Sequence, residues 1–154
     1  MNYLKNMELK MKNKLENKQY YFLELLEKVG IKIPIIQRDY VQGRENAKSI
    51  RENFLKNLFD VISKNKSLNL DFIYGTIKDN YLIPLDGQQR LTTIFLLHYY
   101  LALKEKKLDD NLKNKLKKFT YETRISSREF CKLLIENNIT SNDKNISQTI
   151  KNQT

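Results

Sequence analysis

The sequence predicts an α+β fold, in which helices pack on a small mixed sheet and the C-terminal region is helical. Four short stretches are rich in the β-branched and aromatic residues that favour strands. Two longer stretches carry apolar residues at helical spacing or throughout, as core-facing helices do. The chain of 154 residues is long enough for one domain with a hydrophobic core. The predicted strands are residues 31–36, 68–77, 81–85 and 119–122.

The N-terminal third begins with a Lys- and Asn-rich stretch, residues 1–18, whose apolar spacing fits a weak amphipathic helix or a frayed arm. A short helix is predicted over residues 19–28, with Gly30 as its C-cap. Pro34 cannot donate a ladder hydrogen bond, so residues 31–36 are predicted as an edge strand or an extended segment.

The middle of the chain predicts two long helices and a hairpin. Residues 45–64 form the cleanest amphipathic pattern, with apolar positions on one stripe and charges on the other. Turn residues 78–80 join strands 68–77 and 81–85, which predicts a hairpin. Residues 88–104 are apolar almost all round, so this helix should be buried.

The C-terminal part predicts two further helices. Residues 104–118 are charged, with leucines four apart, and indicate a surface helix. Ser126 or Ser127 is suited to cap a helix over residues 128–137. Residues 138–154 are polar, and the absence of a compact ending suggests a fragment of a longer protein. The expected organisation is therefore an arm (1–18), a domain (19–137) and a polar segment (138–154).

A group of polar residues lies between strand 81–85 and the apolar helix: Asp86, Gly87, Gln88, Gln89 and Arg90. Asp86 is placed to be a helix N-cap, and Gly87 allows a ligand to come close. The amides and dipole at a helix start attract anions, and the planar guanidinium of Arg90 suits phosphate. The alternative is an ordinary capped turn. The turn is not a Walker A loop, because it has no Gly-Lys-Ser/Thr sequence.

Two other polar clusters are candidate site elements. Gln37 and Arg38, followed by Tyr40, come at the end of strand 31–36, and the alternative is a solvated turn. Arg124 and Arg128 flank two serines at a predicted helix start. That arrangement suits a second anion site, and it is equally typical of a capped helix with exposed arginines.

Composition limits the remaining classes of function. The net charge of +10 favours polyanionic partners such as DNA, although lysines spread along the whole chain also suit a solvated surface. One cysteine and one histidine cannot form an intrachain disulfide or a usual zinc site. Cys131 lies in an apolar helical pattern and is expected to be buried. The sequence has no signal-peptide pattern and no run as long as a membrane span, so a cytoplasmic protein is expected.

Three stretches together resemble the N-terminal domain of the family called domain of unknown function 262. They are IPIIQRDY at 33–40, DFIYG at 71–75 and LDGQQRLTT at 85–93, and FTYETRISSREFC at 119–131 is similar to a pattern in many members. The family is related in fold to ParB and sulfiredoxin, and it includes the GmrS half of GmrSD-type, modification-dependent restriction systems. The resemblance covers roughly residues 20–137.

The resemblance implies a nucleotide site at the DGQQR motif. It suggests catalytic roles for Asp86, Gln89 and Arg90. A nucleoside triphosphate with Mg²⁺ would be the cofactor, without a dedicated metal site in the protein. Gln88 and Gln89 would orient a water or read a nucleotide edge, and Asp86 would cap the helix, polarise a water or hold Mg²⁺ through water. The residues expected to bind nucleotide or phosphate are Gln37, Arg38, Tyr40, Gly87, Gln88, Arg124 and Arg128.

The same resemblance implies partners. Members commonly continue into a helical region and often a C-terminal HNH-type nuclease domain, whose His/Asn cluster is missing from this sequence. Any DNA cutting would then depend on such a domain or on a partner chain. The sequence therefore predicts a nucleotide-binding, NTP-hydrolysing regulatory domain of an anti-phage DNA restriction system. The alternative is a non-catalytic DNA-binding or modified-DNA-sensing module of ParB-like fold. The sharpest geometric expectation is one concave site lined by Gln37, Arg38, Asp86 and Arg90.

Overall fold

The computed structural model describes residues 19–35, 45–64, 66, 72–122 and 125–137. The described residues form an α+β fold with five α-helices and four strands, as the sequence predicts. The helices are α1 (Phe22–Lys28), α2 (Lys48–Ser63), α3 (Gln88–Lys104), α4 (Asp110–Leu116) and α5 (Ile125–Asn137). The strands are β1 (Gly30–Ile33), β2 (Gly75–Lys78), β3 (Tyr81–Pro84) and β4 (Phe119–Tyr121), and a single 3₁₀ turn, Glu45–Ala47, precedes α2.

The four strands make one mixed sheet in the order β2-β3-β1-β4. Strand β1 is parallel to both of its neighbours, β3 and β4, whereas β2 is antiparallel to β3. The carboxyl ends of β1, β3 and β4 therefore lie at the same edge of the sheet. Open sheets with parallel strands usually bind their ligands outside this edge.

Strands β2 and β3 form the predicted hairpin. Lys78 pairs with Tyr81, so the loop consists of Asp79 and Asn80 alone. Both loop residues have positive φ, 51° and 62°, as a type I′ turn requires. Asp and Asn tolerate this left-handed conformation better than most residues, which explains their place here.

The core lies between one face of the sheet and the helices. Phe95 of α3 stacks on Phe119 of β4, with ring centroids 4.5 Å apart. Ile31 and Ile33 of β1 are fully buried beneath them. Helix α1 packs against β1 and α4, and α5 packs against β4. Cys131 of α5 is buried in the same core, as its apolar neighbours predict.

Two expectations about the first strand are wrong. Strand β1 is central and not at an edge, because Pro34 follows its last residue and so removes no ladder hydrogen bond. Gly30 is not a C-cap: α1 ends at Lys28, Val29 occupies the C-cap position in an extended conformation, and Gly30 opens β1.

The later helices differ from expectation at their ends. Helix α4 is shorter than the predicted 104–118, since the Asp109 carboxylate caps it through the Leu112 amide at 2.8 Å. Helix α5 begins at Ile125, so Ser126 and Ser127 lie inside it and neither is its N-cap. The predictions for residues 1–18, 67–71 and 138–154 lie outside the described residues.

Candidate functional site

The DGQQR motif forms the junction between β3 and α3. Gly87 is the N-cap residue of α3 and has a left-handed conformation, with φ at 81°. The first hydrogen bond of the helix joins the Leu91 amide to the Gly87 carbonyl at 2.9 Å, so the amides before Leu91 point out of the helix end. The positive end of a 17-residue helix therefore opens at the carboxyl end of a parallel strand.

Gly87 is required by space as well as by conformation. A Cβ added at this position would lie 2.7 Å from Cγ1 of Ile73 and 3.4 Å from Nη2 of Arg90. The Ile73 side chain, in the segment before β2, thus packs closely over the helix start. That Gly87 lets a ligand come close stays a prediction.

Asp86 is not the N-cap that the sequence predicts. Its Oδ2 accepts a hydrogen bond from Nη2 of Arg90 at 3.0 Å, and the N-cap position belongs to Gly87, which has no side chain to cap with. The same Nη2 donates to the Phe72 carbonyl at 3.1 Å. The Asp86–Arg90 pair therefore fixes the guanidinium beside the helix start, and the capping role proposed for Asp86 is excluded.

The two glutamines of the motif face different surroundings. Gln88 is half-buried, and its Nε2 donates to the Pro84 carbonyl at 2.8 Å, which ties the helix start to the end of β3. Gln89 is also half-buried; its Oε1 atom is buried without accepting a hydrogen bond, while the residue has other interactions. The predicted roles of both glutamines toward a nucleotide stay predictions.

Strand β4 is attached to the same helix turn. Thr92, which is 4% exposed, donates from Oγ1 to the Gln88 carbonyl at 3.0 Å. The Tyr121 hydroxyl oxygen lies 3.0 Å from Oγ1 of Thr92. Because the single threonine proton is used on Gln88, the Tyr121 hydroxyl is the donor to Thr92. The carboxyl end of β4 is thus hydrogen-bonded to the first turns of α3.

Strand β1 joins this edge through Glu122. The Glu122 amide donates to the Ile33 carbonyl at 2.9 Å, and its Oε2 accepts from the Ile35 amide at 3.1 Å. The ends of β1, β3 and β4 and the start of α3 are therefore held together at one edge by direct hydrogen bonds.

Several predicted site residues lie outside the described residues. They are Gln37, Arg38, Tyr40 and Arg124. The described residues end at Ile35 before Gln37, and at Glu122 before Arg124. Ile35 and Glu122 both lie at the sheet edge where α3 begins. The concave site expected from Gln37 and Arg38 together with Asp86 and Arg90 stays a prediction.

Arg128 differs from the motif residues. It lies on α5 with a side chain that is 46% exposed, and its Nε is 3.8 Å from Oε1 of the adjacent Glu129. Within the described part of the chain, Arg128 does not join the hydrogen bonds around Asp86 and Arg90. Its role in phosphate binding stays a prediction.

The described residues contain no group of three or more His, Cys, Asp or Glu side chains that could hold a metal ion. Asp86 is the carboxylate of the motif, and it is 55% exposed. One carboxylate fits the way Mg²⁺ is often bound, through one or two carboxylates and the phosphates of a substrate. The donor set is therefore compatible with Mg²⁺ that arrives with a nucleotide.

Sequence reasoning missed three residues that shape this site: Phe72, Thr92 and Tyr121. Phe72 contributes through its backbone carbonyl, which no side-chain pattern reveals. Tyr121 is 29 positions from Thr92, so their contact depends on the sheet order. The two threonines after DGQQR were the one sequence feature that pointed to these contacts, because two hydroxyls inside an apolar helix need hydrogen-bond partners.

Comparison with known families decides the relationship of this chain. Residues 22–154 match the family model described as GmrSD restriction endonuclease, N-terminal domain. The chain belongs to this family. No curated protein and no solved structure gives a significant match. As a GmrSD N-terminal domain, the chain is a component of a restriction system. Among its described helices, none is both long and apolar enough to cross a membrane.

Proposed function

We propose that this GmrSD N-terminal domain binds a nucleoside triphosphate at the Asp86–Arg90 turn, hydrolyses it, and thereby regulates DNA restriction. The observation that carries the proposal is the start of α3. It opens at Gly87, at the carboxyl end of a parallel strand, with the Arg90 guanidinium held 3.0 Å from Asp86 beside it. Helix amides and a fixed guanidinium are the groups that proteins use for phosphate.

The site residues divide into groups that bind phosphate and groups that position water. The amides after Gly87 approach the phosphate, and Arg90 neutralises its oxygens. Gln88 and Gln89 orient a water or contact a nucleotide edge. With capping excluded, Asp86 polarises the attacking water or holds Mg²⁺ through a water molecule. Mg²⁺, when bound, neutralises charge on the phosphates. Gln37, Arg38, Tyr40, Arg124 and Arg128 complete the proposed set.

The proposal includes a partner for the cutting step. A restriction endonuclease cleaves DNA, and the single histidine of this sequence cannot supply an HNH-type cluster. We therefore place the nuclease groups on an HNH-type domain or a partner chain, with nucleotide binding in this domain controlling them.

A nucleotide titration tests the proposal. Binding of fluorescent ATP, GTP, CTP and UTP analogues with Mg²⁺ is measured for the wild type and for Arg90→Ala, with Arg51→Ala on α2 as a matched arginine control. The proposal predicts that the wild type and Arg51→Ala bind one of the four nucleotides with equal affinity. Arg90→Ala should bind that nucleotide at least about ten-fold more weakly, because one charge-assisted hydrogen bond is lost. Equal binding by all three proteins, or no binding by the wild type, refutes it.

The net charge of +10 supports a second candidate function, in which the Asp86–Arg90 turn binds the phosphate backbone of duplex DNA without catalysis. Under this alternative, affinity for a duplex falls steeply with added salt, and Arg90→Ala weakens duplex binding while nucleotide binding is absent from both proteins. No binding to a duplex at low salt excludes it.

A further inference from the structure

The sheet has a second face that points away from the core. In β1, Ile31 and Ile33 face the core and are fully buried. Lys32 lies between them in the strand, so its side chain projects from the opposite face of the sheet. Its cross-strand neighbour Thr120 and the β3 residue Tyr81 share that face by register. None of these three side chains is buried.

The β2–β3 ladder extends this face toward the DGQQR turn. The Tyr74 carbonyl accepts from the Leu85 amide at 2.9 Å, which places Tyr74 opposite Leu85. Ile73 turns inward over Gly87, so Phe72 and Tyr74, on either side of it, turn outward. Phe72 is 86% exposed, Tyr74 61% and Leu85 65%. We call the surface formed by Lys32, Phe72, Tyr74, Lys78, Tyr81 and Leu85 the open face.

The charge on the open face is positive. Lys78 is paired with Tyr81 in the hairpin register, and the Lys32 ammonium lies 4.5 Å from the centre of the Tyr81 ring. The described strand positions of this face include these two lysines and no carboxylate. The lysines lie at the hairpin end of the open face, and Phe72 and Tyr74 lie at the end nearer the DGQQR turn. The face therefore combines stacking surfaces with anion-binding groups.

We propose that the open face binds single-stranded DNA, with bases stacked on Phe72 and Tyr74 and phosphates held by Lys32 and Lys78. Base stacking on exposed aromatic side chains beside basic groups is the general mode of single-strand recognition, and it tolerates any sequence because every base has a π-face. Four-stranded sheets with exposed aromatics bind unpaired bases in this way. A duplex hides its base faces, so these rings favour a single strand.

DNA is the chosen ligand because the chain belongs to a restriction endonuclease family and its open face carries charge complementary to a polyanion. The proposed site lies outside the Asp86–Arg90 turn and extends beyond the nucleotide function. Phe72 connects the two regions only through its backbone carbonyl, which receives the Arg90 hydrogen bond. A side-chain truncation at Phe72 therefore leaves that hydrogen bond in place.

Fluorescence anisotropy with a labelled oligodeoxythymidylate at low salt tests the proposal. The variants are Phe72→Ala and Tyr74→Ala, with Tyr74→Phe as the conservative change and Tyr21→Ala as the control, because Tyr21 is 82% exposed and precedes α1. The expected result is that the wild type, Tyr74→Phe and Tyr21→Ala bind equally. Each truncation should weaken binding by about ten-fold, as the loss of one stacked base predicts.

Parallel measurements with oligouridylate, with a mixed-sequence duplex and with the nucleotide analogues separate the alternatives. Nucleotide binding that persists in Phe72→Ala shows that the two sites are independent. Preference for the duplex or for RNA overturns the proposal, as does unchanged binding by both truncations or no binding by the wild type. The proposal would also be overturned if the wild type sediments as a dimer that does not bind the oligonucleotide and Phe72→Ala sediments as a monomer. The open face would then be an interface between two copies of the chain.

Discussion

Nη2 of Arg90 lies 3.0 Å from Oδ2 of Asp86, the residue one helical turn before it. The same nitrogen donates to the Phe72 carbonyl, so one amino group joins the turn before α3 to the chain that precedes β2. The Arg90 side chain is 23% exposed and that of Asp86 is 55% exposed. Solvent therefore screens the pair, and its main effect is to fix the position of the guanidinium.

The first prediction concerns this pair. In a double-mutant cycle with Asp86→Ala and Arg90→Ala, the coupling free energy of unfolding should be about 0.5 kcal/mol and should fall when salt is added. Arg90→Ala alone should cost more than Asp86→Ala, because it also removes the donor to Phe72. Urea denaturation of the four proteins measures both effects. A coupling above about 2 kcal/mol would mean that the pair behaves as a buried one.

The second prediction concerns Gly87. Replacement by alanine should lower the free energy of unfolding by at least about 1–2 kcal/mol, the cost of a Cβ in the left-handed region. Contact with Ile73 Cγ1 adds to this cost. Chemical denaturation is the measurement, and Gly87→Asn is the matched variant. Asparagine tolerates positive φ but also carries a Cβ, so it should lose less stability than alanine. An alanine variant as stable as the wild type would contradict the conformational argument.

Local sequence patterns were sufficient for most elements of this fold. Helix α3 has the bounds that the apolar run predicts, Gln88–Lys104. The hairpin follows from Asp79-Asn80, since few residue pairs accept two positive φ angles in succession. Both features depend on interactions between near neighbours, which a sequence records directly.

Features that depend on distant parts of the chain could not be predicted. The Asp86 cap was a sound local expectation, but the Asp86 carboxylate accepts from Nη2 of Arg90 and caps no helix amide. The distant Phe72 carbonyl, which accepts from the same Nη2, holds the guanidinium in that place. In α2 the periodic apolar stripe is real, yet Ile50 is 62% exposed and Ile62 58% exposed, whereas Leu58 is buried. Periodicity identifies an apolar stripe but does not show what covers it.

The third prediction uses Cys131, the single thiol of the chain. Burial raises its pKa from 9.0 to about 12, so very little thiolate forms in the folded protein near neutral pH. Since the thiolate is the nucleophile, iodoacetamide should alkylate the native protein about a hundred-fold or more slowly than the unfolded chain. Mass spectrometry with and without denaturant gives both rates, and Cys131→Ala provides the blank. Native and denatured rates within ten-fold of each other would show that the thiol is accessible.

The fourth prediction uses His98, the single histidine. Its Nδ1 lies 2.8 Å from the Ile94 carbonyl, which can only accept, so Nδ1 carries the proton of the neutral ring. The ring packs against Phe22 with centroids 5.0 Å apart. Burial lowers the pKa of His98 below its usual value, and the hydrogen bond to Ile94 opposes this in part.

The consequence for stability follows from the direction of that shift. The unfolded chain takes up a proton near pH 6.5, about the ordinary histidine pKa, whereas the folded protein resists it until a lower pH. Between the two pKa values the unfolded state binds more protons at His98. The contribution of His98 to the free energy of unfolding should therefore be constant above that range and fall as the pH decreases through it. Urea denaturation from about pH 8 to about pH 5 for wild type and His98→Phe isolates the histidine, because the carboxylates are common to both proteins. The wild type should lose more stability on acidification than the variant, and the single C2 proton resonance of His98 should titrate below pH 6.5. A resonance that titrates above that pH, or equal acid sensitivity in both proteins, would show that the folded protein accepts the proton readily.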